Sequence, residues 1–135
     1  MILLDTDILI DVALDRRPHS DEATELLDRL QKGPKKAFVA WHTLSNFYYL
    51  VAPRRSGMGA RDFVEHLTRF VAVTSSGTDA IKYAAELPMT DFEDAMQVAA
   101  ARACGARHII TRNVSDFRCS PIPALTPGDA LDTLF

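Results

Sequence analysis

Short apolar runs alternate with helical patterns along this chain, and that alternation limits the folds open to it. Ile2-Leu3-Leu4, Ala37-Phe38-Val39-Ala40, Val71-Ala72-Val73 and His108-Ile109-Ile110-Thr111 are too short for helices and read as buried strands. A short helix is expected from Asp7 to Leu14. Ser20 is placed to cap a second, whose apolar face is Ala23, Leu26, Leu27 and Leu30 and which Gly33-Pro34 stops. Further helices are predicted over Thr43–Leu50, Ala60–Phe70 and Thr78–Leu87, with a polar loop at Pro53–Gly59. Thr90 and Glu93 form a capping box for a helix with Phe92, Met96, Ala99 and Ala103 on one face, ended by Gly105. Pro121 and Pro123 bracket a last extended piece, and Thr126-Pro127-Gly128-Asp129 opens a final helix. Parallel strands need crossover connections. The pattern therefore predicts an α/β protein, a three-layer α/β/α sandwich with a mostly parallel central sheet. At 135 residues, one domain over 1–135 is expected.

No apolar run is long enough to span a bilayer, and Asp5 and Asp7 interrupt the segment where a secretory signal carries its apolar stretch. A cytoplasmic protein with no membrane partner is the expectation. Cys104 and Cys119 are the only cysteines and are widely spaced, which suggests neither a disulfide framework nor a thiolate metal site. The formal net charge of -3 argues against broad nonspecific binding to nucleic acid, so such a partner must be held locally. Most of the 15 basic residues are arginines, the better bidentate donors to phosphate.

In a parallel sheet the site lies in the crevice beyond the carboxyl ends of the strands. Asp5 follows the first strand, Asp94 sits in the first turn of the capped helix, and Asp116 lies five residues beyond Thr111. Gathered in one crevice, their carboxylates would repel, and a cation would compensate them. Oxygen ligands of this kind suit Mg2+ or Mn2+, and the chemistry implied is phosphodiester hydrolysis. Singly, each acid also has a structural reading: Asp94 on the helix dipole, Asp116 in a turn, Asp5 as a helix cap. An acid ending an apolar strand favours a site. Glu93 is assigned to the capping box and Asp91 to the dipole, with either in reserve as a supporting acid.

Three segments carry a family resemblance: Leu3-Leu4-Asp5-Thr6-Asp7-Ile8-Leu9-Ile10-Asp11, Thr90-Asp91-Phe92-Glu93-Asp94-Ala95 and Thr111-Arg112-Asn113-Val114-Ser115-Asp116-Phe117. Together they resemble the PIN-domain ribonucleases, which include the toxin nucleases of bacterial toxin–antitoxin pairs. The resemblance implies an α/β/α sandwich that cuts RNA with one or two magnesium or manganese ions. It implies Asp5, Asp94 and Asp116 as metal ligands, an RNA substrate and a cognate antitoxin protein. Two departures stand out. Asn46 occupies the position where the family often has a second acid, and Asp7 the position where it commonly has asparagine. Asp11 also fits the family pattern, and equally a solvated helix residue. Thr111 and Asn113 resemble the family's polar residues beside the ions, able to orient a carboxylate or a water.

For contacts with RNA backbone the candidates are Arg112 and the pair Arg54 and Arg55, each weighed against an ordinary surface cation. Trp41, Phe47, Tyr48 and Tyr49 suit base stacking, but core packing or a subunit interface is the expected use. The function expected is a metal-dependent endoribonuclease, a toxin with an antitoxin partner, working as a homodimer that extends the RNA-binding surface. One alternative is a non-catalytic RNA- or protein-binding module, motivated by Asn46. Another takes Asp5-Thr6-Asp7 as the nucleophile motif of a haloacid-dehalogenase-type phosphatase, for which Lys82 is the only lysine beyond Lys36.

Overall fold

A computed structural model describes the backbone of residues 1–135 and the side chains of all but Gly57 and Met58. Five strands form one sheet: β1 (Ile2–Leu4), β2 (Ala37–Val39), β3 (Val71–Val73), β4 (His108–Ile110) and β5 (Ala124–Leu125). Every pairing is parallel and the order is β3-β2-β1-β4-β5. The helices are α1 (Thr6–Ala13), α2 (His19–Lys32), α3 (Trp41–Arg55), α4 (Gly57–Leu67), α5 (Thr78–Glu86), α6 (Phe92–Cys104) and α7 (Pro127–Leu134). A 3-10 turn spans Val114–Phe117.

Side chains alternate across a strand, and here that period sorts the core into two layers. Ile2, Leu4, Val39 and Ile110 face one way and pack with Leu9, Leu26, Phe47 and Val51 beneath α1, α2 and α3. Leu3 and Ile109 face the other way and pack with Val98, Ala101 and Phe117 beneath α6. The outcome is the expected α/β/α sandwich, with a sheet that is parallel throughout.

Several local expectations are corrected. Ser20 does not cap α2: the helix starts at His19 without a side-chain cap, and the Ser20 hydroxyl donates to Asp15 at 2.7 Å. The polar segment from Pro53 is not a loop. Helix α3 runs through Pro53 to Arg55 and breaks only at Ser56, whose φ of 103° reverses the chain and whose Oγ accepts from the Gly59 amide at 3.0 Å. Packing explains this: Phe47 and Val51 are fully buried, and the Phe47 ring stacks on Phe63 of α4 at 5.0 Å. A proline in the last turn removes one helical hydrogen bond, which that contact offsets. Helix α6 is capped by Asp91 rather than Thr90, the Asp91 carboxylate accepting from the Asp94 amide at 3.0 Å. Its buried residues are Ala95 and Gln97 through Ala101, so Phe92 is exposed and Ala103 lies outside the core. Gly105 ends it in the left-handed conformation, as expected.

Candidate active site

The strand order turns at β1: its connection leads to β2 on one side, and β4 and β5 stack on the other. Such a switch point opens a crevice at the carboxyl ends of the two central strands. Leu4 pairs with Ile110, so Asp5 and Thr111 emerge side by side, with the Asp5 amide donating to the Ile110 carbonyl at 2.9 Å.

Asp5 is buried. It caps α1, accepting from the Thr6 amide at 2.8 Å, and its carboxylate also accepts from Gln97 Nε2 at 2.8 Å and Thr111 Oγ1 at 2.9 Å. Its structural role as a cap and its place in the crevice therefore coexist. Asp7 points inward on the next half-turn. Its Oδ2 accepts from Asn113 Nδ2 at 3.1 Å, from the Arg112 amide at 3.2 Å and from Thr111 Oγ1 at 3.3 Å. Its Oδ1 is buried without a partner among the described residues. Thr111 and Asn113 thus orient the two acids at the start of the chain.

Helix α6 brings the second group. Asp94 stands at its first turn beside Asp91, and Asp116 faces it from the 3-10 turn; with Thr90, Ser115, Arg118 and Cys119 they line a polar cleft of about 450 Å³. Burial pushes the Asp94 carboxyl up to about 7, aided by repulsion from Asp91, Asp5, Asp116 and Glu93. Asp7 is likewise pushed up to about 7, first by burial and then by the charge of Asp5. Asp5 is raised by burial against the pull of its hydrogen bonds. Repulsion among the acids is present, but removal from water is the larger cause at each.

The chain's electrostatics therefore bring Asp5, Asp94 and Asp116 into one neighbourhood. They do not close on a point: among the described residues no three carboxylate, imidazole or thiolate side chains form a complete cage for an ion. Hydrated Mg2+ needs only one or two protein carboxylates with waters, so an open, oxygen-only donor set with an unpaired carboxylate oxygen fits such an ion.

Gln97 was not assigned to this site from sequence, and Glu93 was held there only in reserve. Gln97 is fully buried on α6, and besides Asp5 it donates to Thr43 Oγ1 at 2.9 Å, tying α1, α3 and α6 together. Its signal was an amide one turn after Glu93 and Asp94 in an otherwise alanine-rich helix. Glu93 is freed by the Asp91 cap. Burial and the charge of Asp5 raise its pKa, while the Asn46 side chain beside it favours the ionised form. Asn46 is thus accompanied by an acid from α6.

Arg112 borders the acids, whereas Arg54 and Arg55 lie apart from them. Arg112 grips Asp11 through Nε at 3.0 Å and Nη2 at 3.3 Å, and Arg16 joins the same carboxylate at 2.8 Å. Asp11 is 1% exposed, so it is a buried ion-pair centre and not a solvated residue. Arg54 and Arg55 end α3, about 13 Å along the helix from Asn46. There Arg55 donates to the Ala13 carbonyl at 3.2 Å and lies over the Phe63 ring. Arg118, unassigned from sequence, is exposed in the acidic cleft, with no carboxylate within 4.0 Å among the described residues. Trp41 and Tyr49 are 76% and 75% exposed, so of the two uses expected of them core packing does not apply, whereas Phe47 is core.

These shifts set a pH dependence. A carboxyl whose pKa is higher folded than unfolded keeps its proton longer in the folded chain, so stability falls as pH rises from about 4 through about 7. His42, lowered by burial, acts in the opposite sense below pH 6.5 but is outnumbered. In chelator, the melting temperature is expected to drop by about 5 °C between about pH 5 and pH 8. Thermal melts across that range measure it, and a rising profile contradicts the burial of Asp7 and Asp94.

Among the described residues no helix is long and apolar enough to cross a membrane. No curated protein matches the chain. Solved structures do. A VapBC2 complex from Rickettsia felis bound to a promoter DNA fragment matches with a TM-score of 0.73 at 18% identity, over 93% of this chain and 98% of that one. A toxin–antitoxin complex from Klebsiella pneumoniae matches with a TM-score of 0.70 at 24% identity, over 94% and 98%. The sarcin-ricin loop cleaving toxin VapC20 of Mycobacterium tuberculosis matches with a TM-score of 0.65 at 18% identity, over 81% and 87%. At these identities the likeness is one of fold. The PIN domain family matches over residues 1–115, beginning before Asp5 and reaching past Asn113, and the chain belongs to that family.

Proposed function

We propose that residues 1–135 form one nuclease domain, a Mg2+- or Mn2+-dependent endoribonuclease acting in the cytoplasm as the toxin of a toxin–antitoxin pair. The observation that carries this reading is the set of mutually repelling carboxylates at the switch point, from buried Asp5 to half-buried Asp94 and exposed Asp116, with Asp94 pushed up to about 7. PIN-family membership and the toxin folds it resembles support the same reading.

Asp5, Asp94 and Asp116 would hold the ion, with Asp7, Asp91, Glu93 and Asn46 as supporting oxygens. Such an ion supplies Lewis acidity and neutralises charge at the phosphoryl group. The chain's own residues do the positioning. Thr111 and Gln97 fix the Asp5 carboxylate from two sides, and Asn113 fixes Asp7, so these acids present their charge without reorganising. The Asp91 cap holds the first turn of α6, and with it Asp94, against the cleft. Arg118 supplies a cation beside the acids, where an RNA phosphate would pair with it. Arg118→Ala is expected to raise KM for RNA about tenfold with kcat little changed and to flatten the salt dependence of binding. Steady-state kinetics at two salt concentrations check it.

Association with an antitoxin and pairing of two copies belong to the same proposal. The non-catalytic alternative loses its motive where Glu93 stands beside Asn46. The phosphatase alternative lacks its lysine, because Lys82 is exposed on α5 and does not line the acidic cleft. The test is incubation of purified protein with structured RNAs, with and without Mg2+, beside Asp5→Asn. Cleavage that needs the ion and disappears in the variant supports the proposal; cleavage unaffected by chelator or by the variant rejects it.

A further inference from the structure

A second cleft lies beside the acids, at the carboxyl ends of β2 and β3. It has a volume of about 190 Å³, and its lining includes Trp41, His42, Thr74, Ile81 and Met96. Its position relative to the acids follows from the sheet register. Leu3 pairs with Phe38 and Val39 with Val73, so two steps beyond the first pair set Asp5 opposite Ala40 and one step beyond the second sets Ala40 opposite Thr74. The Thr74 amide donates to the Val39 carbonyl at 2.9 Å, which continues that register. With strands about 4.8 Å apart, Thr74 stands about 10 Å from Asp5, the reach of one nucleotide from its phosphate to its base.

The cleft carries unfinished polar chemistry. Thr74 is 5% exposed and, among the described residues, neither its Oγ1 nor the buried His42 Nε2 has a hydrogen-bond partner. Most buried polar side-chain atoms in folded chains have a partner, so two orphans in one small cleft point to a group that completes them. Beside them Trp41 presents an indole that is 76% exposed, with Ile81 44% exposed. An aromatic face next to hydrogen-bonding groups is how unstacked RNA bases are held. Helix α6 serves both clefts, with Asp94 at the acids and Met96, Ala99 and Ala100 in this one.

We propose that this cleft is a nucleobase subsite, in which Trp41 stacks on a base flanking the scissile phosphodiester and Thr74 and His42 read its edge. It rests on the ribonuclease reading above and adds to it where base selectivity is set. The hydroxyl and the imidazole can each donate or accept, so the edge that completes both orphans is selected over edges that complete one.

Trp41 is the only tryptophan, so its fluorescence reports the cleft directly. The experiment titrates adenosine, guanosine, cytidine, uridine and ribose into the full chain in chelator, where no cleavage occurs, with light-scattering mass measured alongside. Saturable quenching is expected, ranked among the four nucleosides and absent with ribose. Thr74→Val keeps the shape and removes an unpaired atom, so it is expected to fold normally and to weaken the preferred nucleoside by about five- to tenfold, flattening the ranking. No saturable quenching, equal quenching by all four, or an unchanged ranking in Thr74→Val overturns the proposal. A concentration-dependent blue shift with doubled mass also overturns it, placing Trp41 between two copies. RNA cleavage without quenching defeats this proposal alone; ranked quenching without RNA cleavage leaves the base site standing and removes the nuclease reading.

Discussion

Asp94→Asn is expected to abolish RNA cleavage and, without divalent ion, to make the protein more stable. Both effects have one origin. Asp94 is raised from 3.8 to about 7, so at about pH 8 its ionised form is less favourable in the folded chain than in the unfolded one. Asparagine keeps the shape and removes the charge. Asp94 is partly exposed, and solvent screening limits the gain to about 1 kcal/mol, or roughly 4 °C in melting temperature. The same charge is what the proposed ion needs, so the loss of activity should exceed the roughly 10–100-fold typical of groups that only support a ligand. Cleavage assays and thermal melts on one preparation test both. A destabilised, inactive variant would show Asp94 to be structural, and an active one would remove it from the mechanism.

Gln97→Met should separate positioning from folding. The substitution conserves volume in a fully buried position and removes the Nε2 that donates to Asp5 and Thr43. It also removes Gln97 Oε1, which is buried without a partner among the described residues, so the net change in stability is expected to be small, within about 1 kcal/mol. Asp5 would keep the Thr6 amide on Oδ1 and the Thr111 hydroxyl on Oδ2 but lose the Gln97 donor, so its ionised form would be less favoured. Affinity for Mn2+ is therefore expected to fall about 10–100-fold, with kcat recovering at high ion concentration. Unchanged affinity would reduce Gln97 to a packing residue.

The sandwich was legible because short apolar runs and helical spacing are local signals, and Asp5 was legible because an acid rarely ends an apolar strand without use. Thr111 and Asn113 were legible through the family pattern, and their bonds to Asp5 and Asp7 agree with the orienting role expected of them. What escaped depended on contacts distant in sequence. Thr90 and Asp91 are both good N-caps, one residue apart; the helix takes Asp91, which leaves Glu93 beside Asn46. Gln97 is neutral and mid-helix; only its 92-residue separation from Asp5, closed by the fold, reveals its use. The turn composition at Pro53–Gly59 lost to the burial of Phe47 and Val51, which hold α3 straight through the proline. Arg112 was weighed for phosphate, and Asp11 as a family acid or a solvated residue; the ion pair that joins them across 101 residues was not readable from either segment.

Titration of Mn2+ into the metal-free protein near pH 7.5, with proton release recorded, tests the central claim most directly. Saturable binding that releases protons from the raised carboxyls and weakens sharply in Asp5→Asn and Asp94→Asn is the predicted result. Binding that releases no protons, or that both variants retain at full affinity, would contradict it.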